Sequence, residues 1–214
     1  MKWFAVGLAC FALGCAGPIV EDHVIEVAPD AFARIAVAPF LVDPELHGPL
    51  DTDLEVAAGQ RKVAEEQAAL MTRFVSEAFA AEGFEMVPAS DLMQLLAARA
   101  EIINREDPRV FAEVAAREFG ATSLLWGRLT RYRERDGGEF GAKGPASVAF
   151  ALELYATPDL RKLWTARFDH TQRALSADVF TARNYPGAGS RWLSAAELAQ
   201  WGARNAAQNA WEMQ

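Results

Sequence analysis

Beyond residue 15 the chain has no cysteine, since Cys10 and Cys15 are its only two. The remaining 199 residues therefore carry no disulfide, no thiol nucleophile and no thiolate metal site. Histidine is almost as scarce. His23, His47 and His170 are far apart and lack the spacing by which one element brings metal ligands together. No apolar run reaches the roughly 18 residues of a membrane-crossing helix; the opening run, Trp3 to Leu13, is stopped by Gly17-Pro18. Positive charge is also deficient, with 21 Lys and Arg against 29 Asp and Glu. Nucleic acid and anionic surfaces need clustered basic residues, so neither is an expected partner. No cofactor and no metal is expected either.

What is present begins at the N-terminus. Lys2, the apolar run and small residues before Cys15 are the parts of an export leader. Ala12-Leu13-Gly14-Cys15 resembles the lipobox of bacterial lipoproteins, with Ala12 where leucine is more usual. Cys10 would leave too short an apolar core for such a leader. The resemblance implies a signal peptide over residues 1–14, a lipid-modified Cys15 with three acyl chains, and membrane attachment through them. Loss of Lys2 with the leader takes the formal charge from −8 to −9. Ala16, rather than Asp, follows the cysteine. By resemblance to sorted lipoproteins this implies the outer membrane, with the protein facing the periplasm.

Residues 15–32 mix proline, acids and β-branched residues without a period and read as a tether, with an extended piece at His23–Val27. Fully extended it would span about 55 Å. Residues 33–214 have the size and apolar content of one domain. Ala33–Ala38 reads as a strand buried on both faces. Residues 41–59 read as a long acidic loop. Val63, Leu70, Met71, Phe74, Val75, Ala78 and Phe79 form one helical stripe, ended at Gly83. Phe84–Val87 is a second strand, followed by helices opening at Ser90-Asp91 and at Asp107-Pro108. Residues 122–133, 146–155 and 162–170 alternate with period 2 and predict an antiparallel meander. Ser194 and Glu197 form a capping box for a last helix. The expected fold is thus a single α/β domain: a mixed sheet of about five strands flanked by helices, with a C-terminal meander and final helix. The crossover between the first two strands predicts that they pair in parallel.

Catalytic signatures are wanting. Gly187-Ala188-Gly189-Ser190 lacks the order and setting of a serine elbow. Gly137, Gly138, Gly141 and Gly144 lie between antiparallel strands and read as a mobile hairpin tip. His47 with Asp43, Asp51 and Asp53 is the one cluster that could hold a hard cation, without the regular ligand pattern of a calcium loop. Glu65 with Glu66, and Glu134 with Asp136, read as solvated faces. Trp126 and Trp164 fall on inward strand positions. Trp201 and Trp211 are about 80° out of alignment on the last helix, so both cannot face one core. Trp211, and Trp192 in the preceding loop, are the residues chosen for partner contact.

Arg34-Ile35-Ala36-Val37-Ala38-Pro39-Phe40, Gly83–Val87, Phe119-Gly120-Ala121 with Leu124–Gly127, Pro145–Phe150 and Leu163-Trp164 resemble a superfamily of envelope proteins. It includes the curli secretion-channel lipoprotein, the lipoprotein activators of penicillin-binding proteins and the amino-terminal domain of the Tol-system propeller protein. The resemblance covers roughly residues 33–172. It implies a lipid-anchored, non-enzymatic binding or accessory protein with an envelope protein as partner. Such domains host different tasks. One alternative is an oligomeric component of a transport or secretion assembly. Against it, residues 135–144 are too short and charged for hairpins that cross a membrane. A second alternative is a hydrolase or metal-dependent enzyme using the acidic loop 43–55. Oligomeric state is left open.

Overall fold

A computed structural model of the chain describes residues 20–25, 30–47, 53–98, 104, 106–173, 185–186 and 190–212. Strand β2 (Ile35–Val37) is wholly buried and pairs in parallel with both β4 (Met86–Val87) and β5 (Ser123–Arg133). Proline 39 has no N–H and interrupts this strand. The chain resumes as β3 (Leu41–Val42), which also pairs with β5. The Thr72 hydroxyl covers the break, accepting from Phe40 N at 2.9 Å and donating to Ala68 O at 2.8 Å.

The meander follows as antiparallel β5, β8 (Ser147–Ala156) and β9 (Lys162–Thr171). A small antiparallel hairpin, β6 (Asp136–Gly138) with β7 (Gly141–Gly144), projects between β5 and β8. Strand β1 (Glu21–Val24) closes the far side against β9. The main sheet has seven strands, in the order β1-β9-β8-β5-β2-β4 with β3 beside β5. The mixed α/β architecture, the parallel β2–β4 pair and the antiparallel meander all match the sequence reading. The two additional strands are β1 and β3, each too short to carry a period.

Helix α1 (Leu54–Glu82) is longer than its apolar stripe, because Asp53 caps it and accepts from Glu55 and Val56 N. The acidic loop is therefore shorter than residues 41–59. Gly83 ends α1 at φ 101°, a left-handed turn that glycine adopts without strain. Helices α2 (Ala89–Ala98) and α3 (Pro108–Phe119) follow, the latter capped by Asp107. The last helix, α4 (Ala195–Trp211), begins with the expected Ser194–Glu197 capping box.

Two cores result. Helices α1 and α4 cover one face of the sheet, where Phe79, Phe150, Trp164 and Phe168 are fully buried. Helices α2 and α3 cover the other face only beside β2, β4 and β5, over Leu92, Phe111, Leu124 and Trp126. On that second face the β8-β9-β1 side has no helix above it among the described residues.

The described residues of the expected tether, 20–25 and 30–32, are attached to the domain. Glu21–Val24 pair with Arg167–Trp164, Val20 is buried, and Phe32 packs on Phe84. The reason is a distant partner: β9 offers an open edge, Val24 pairs with Trp164, and the Trp164 Nε1–H donates to Asp22 at 3.5 Å.

Candidate functional site

The uncovered sheet face is built from alternate residues of three long strands. A bulge between Leu129 and Arg131 resets the alternation of β5, so that Arg131 and Arg133 join Arg128 on the side facing away from α1 and α4. Strand β8 adds Ser147, Ala149, Ala151, Glu153 and Tyr155, and β9 adds Lys162, Thr165, Arg167, Asp169 and Thr171. Glu21 and His23 of β1 lie at its margin.

Two polar networks hold this face. Arg131 donates to Ser147 Oγ at 2.6 Å and to the Asp169 carboxylate, while Arg167 reaches Asp169 at 3.4 Å. Ser147 and Thr171 hydroxyls share a 2.6 Å hydrogen bond. Partial burial pushes the Asp169 carboxyl up, yet the bonds and charges of Arg131 and Arg167 outweigh it and hold the group below its ordinary value. In the second network, Lys162 pairs with Glu153 at 2.5 Å and lies over the Tyr155 ring. Tyr155 donates to Glu153 at 2.7 Å. Burial raises the Glu153 carboxyl, but Lys162 and Tyr155 bring it below its usual range, and burial with the Glu153 charge pushes the Tyr155 phenol upward. Arg128 and Arg133 make no ion pair among the described residues. The result is a face with five basic and three acidic side chains on a chain that is acidic overall.

At the β5 end of this face the hairpin is fastened, not loose. Trp192 N donates to Glu139 O at 2.8 Å, and Arg135 donates to Trp192 O at 2.5 Å. Arg191 bridges Glu139 at 3.2 Å and Glu197 at 2.6 Å. The glycines there answer to backbone geometry: Gly137 has φ 108°, and a Cβ on it would meet Gly141 O at 2.6 Å. The expectation of a mobile tip is corrected by these contacts.

Of the sequence-selected residues, Cys15 and Asp51 lie outside the described residues, as do Gly187, Ala188 and Gly189. Trp192 is half-buried at the hairpin junction. Trp201 is buried, whereas Trp211 is 45% exposed with one edge against Phe84, as their angular offset requires. Asp53 is used as a helix cap, and Asp43 marks the turn from β3 into a 3₁₀ segment, Pro44–His47. His170 packs against Phe168 and Trp201, and His23 lies on β1. No group of three metal-ligating side chains converges among the described residues. Glu65 and Glu66 are exposed on α1, while the Glu134 carboxylate accepts from Ala195 N at 3.1 Å and so helps cap α4. A cleft of about 480 Å³ beside β3 has apolar walls from Phe40, Met93 and Phe111, with Glu65 its one ionisable residue. No described helix is long and apolar enough to cross a membrane. The open arginine face was missed from sequence. The alternation of Arg131, Arg133, Arg167 and Asp169 was visible, but which side of the sheet lacked a helix was not.

Comparison with protein-family models gives no match, and comparison with curated proteins gives none either. Among solved structures the chain is similar to the PelC dodecamer from Paraburkholderia phytofirmans (15% identity, 74% of this chain and 86% of that one, TM-score 0.38). It is also similar to lipoprotein GNA1162 from Neisseria meningitidis (18% identity, 65% and 81%, TM-score 0.40). A third is the LpoB C-terminal domain from Escherichia coli (16% identity, 75% and 90%, TM-score 0.34). With TM-scores below 0.5, these likenesses establish no role for this chain.

Proposed function

We propose that the protein is a lipid-anchored envelope lipoprotein, held through Cys15 to the outer membrane and facing the periplasm, that binds a partner protein without catalysis. The open face of β5, β8 and β9 is the contact surface, with Trp192 at its rim. The observation that carries this reading is the charge of that face: Arg128, Arg131, Arg133, Lys162 and Arg167 gather on one side of an acidic protein. Charge of that sign favours an acidic patch on the partner and speeds encounter more than it adds affinity. The carboxylates named near this face serve structural bonds, Asp169 with two arginines, Glu153 with Lys162 and Tyr155, and Glu134 with a helix N-terminus.

The test is a photocrosslinking residue at Ala151, on β8 between Arg128 and Arg167, in cells expressing the full chain. A discrete adduct with one envelope protein is expected, reduced by Arg128→Glu with Arg133→Glu. Adducts of equal yield from a probe at Glu66, on the helix side, would refute the assignment. Fatty-acid labelling that is equal in wild type and Cys15→Ser would refute the anchor.

A further inference from the structure

The buried residue just before β1 limits where a lipid on Cys15 could sit. Cys15 lies five residues before Val20, and five residues reach at most about 18 Å. Val20 is 1% exposed, and its carbonyl accepts from Asn209 Nδ2 at 3.4 Å. Val20 thus sits beside the last turns of α4, against a residue two positions from Trp211. Three large apolar side chains are exposed in this region: Trp211 (45%), Val24 (39%) and Ile25 (50%). They belong to one margin. Val24 is the register partner of Trp164, which meets Phe79, which meets Phe84, which meets Trp211.

We infer that this margin, Trp211 with Val24 and Ile25, rests in the interface of the bilayer that holds the lipidated Cys15, an inference that depends on that lipidation. Three observations select lipid as the occupant. The anchor cannot be more than about 18 Å from Val20, so an acylated chain keeps the margin at the membrane whatever else it binds. Tryptophan presents an apolar ring with one polar N–H and favours membrane–water interfaces. Trp211 also ends its helix, so that its indole lies at the tip of α4 with no further helical turn beyond it. Charges of both signs flank this margin: Glu21, Asp22 and Glu212, with Arg161 and Lys162 next to Leu163, whose carbonyl accepts from Ile25 N. The contact fixes orientation. The hairpin lies by the opposite end of α4, about 24 Å away by helix rise from Ala195 to Trp211, and its Phe140 is 85% exposed.

The lipidated mature chain offers a direct test, because it contains no free thiol. Glu212→Cys and Phe140→Cys, each labelled with an environment-sensitive fluorophore, are placed in phosphatidylcholine vesicles containing doxyl lipid. Quenching at least twofold stronger at position 212 is expected, and Trp211→Ser in the Glu212→Cys chain should bring it down towards the value at position 140. Equal quenching at both sites, or quenching at 212 indifferent to Trp211→Ser, overturns the inference. Intact mass of the same sample separates the two readings. A mass without acyl chains overturns the lipidation and the inference together, whereas an acylated protein with an unquenched position 212 overturns the inference alone.

Discussion

Replacing Glu197 with glutamine isolates one charge at the point where α4, the hairpin and the preceding loop meet. Oε2 of Glu197 accepts from Ser194 N at 2.8 Å and from Arg191 at 3.0 Å, and Oε1 accepts from Arg191 at 2.6 Å. The Arg191 bond, opposed by partial burial and aided by Ser194, holds the carboxyl at about 2 against an ordinary 4.5. That displacement converts, at about 1.4 kcal/mol per pH unit, to about 3 kcal/mol. The side chain is 36% exposed, so solvent screening reduces the contribution to about 1 kcal/mol. Glutamine still serves a capping box, so the substitution removes the charge and spares the cap. Because the folded value lies below the unfolded one, the stabilisation is complete above pH 4.5 and disappears as pH falls towards 2: across that window the unfolded chain takes up a proton that the folded chain refuses. Urea unfolding of wild type and Glu197→Gln at pH 7, 5, 4, 3 and 2.5 should show a gap of about 1 kcal/mol at pH 7 and 5 that closes at lower pH. A gap that stays constant from pH 7 to 2.5 would refute the charge argument and leave only a packing defect.

Two further substitutions probe the main core. Phe79→Ala removes a fully buried ring that meets both Phe84 and Trp164; a loss of about 3–5 kcal/mol is expected in urea unfolding, and a loss under 1 kcal/mol would mean this core is not closely packed. Gly202→Ala would set a Cβ 2.8 Å from the Phe168 ring, where α4 lies on the sheet; a loss of about 1–3 kcal/mol is expected, and an unchanged thermal midpoint would show that α4 lies farther from β9 than described.

Sequence patterns revealed those features whose causes are local. The capping box at Ser194–Glu197, the Asp107-Pro108 helix start and the glycine stops at 83 and 120 each depend on a few neighbouring residues, and each is in place. The meander was legible because alternation persists over ten residues in β8 and β9. What escaped depends on distant partners. Leu54–Gln60 carry no clear apolar stripe, so the first two turns of α1 looked like loop; the Asp53 cap starts the helix there. Strand β1 is exposed along its whole length, with a burial pattern no different from a linker's, and exists only because β9 offers a free edge. The arginine face required knowing where α2 and α3 stop. Trp192 and Trp211 flank the two ends of α4, as the Ser194 capping box implied, but the partners they meet there, the hairpin and Phe84, are distant in sequence.

Strand β1 also sets how the domain would respond to load. Were Cys15 lipidated as proposed, a pull on the lipid would enter the described fold at Val20, held by Asn209, and pass to four residue pairs at a sheet edge. If those pairs parted, the reach would grow from about 18 Å, Cys15 to Val20, to about 50 Å, Cys15 to Asp30, with Phe32 still packed on Phe84. An exposed four-residue strand is thus a mechanical fuse, with a short reach at rest and a long one under tension.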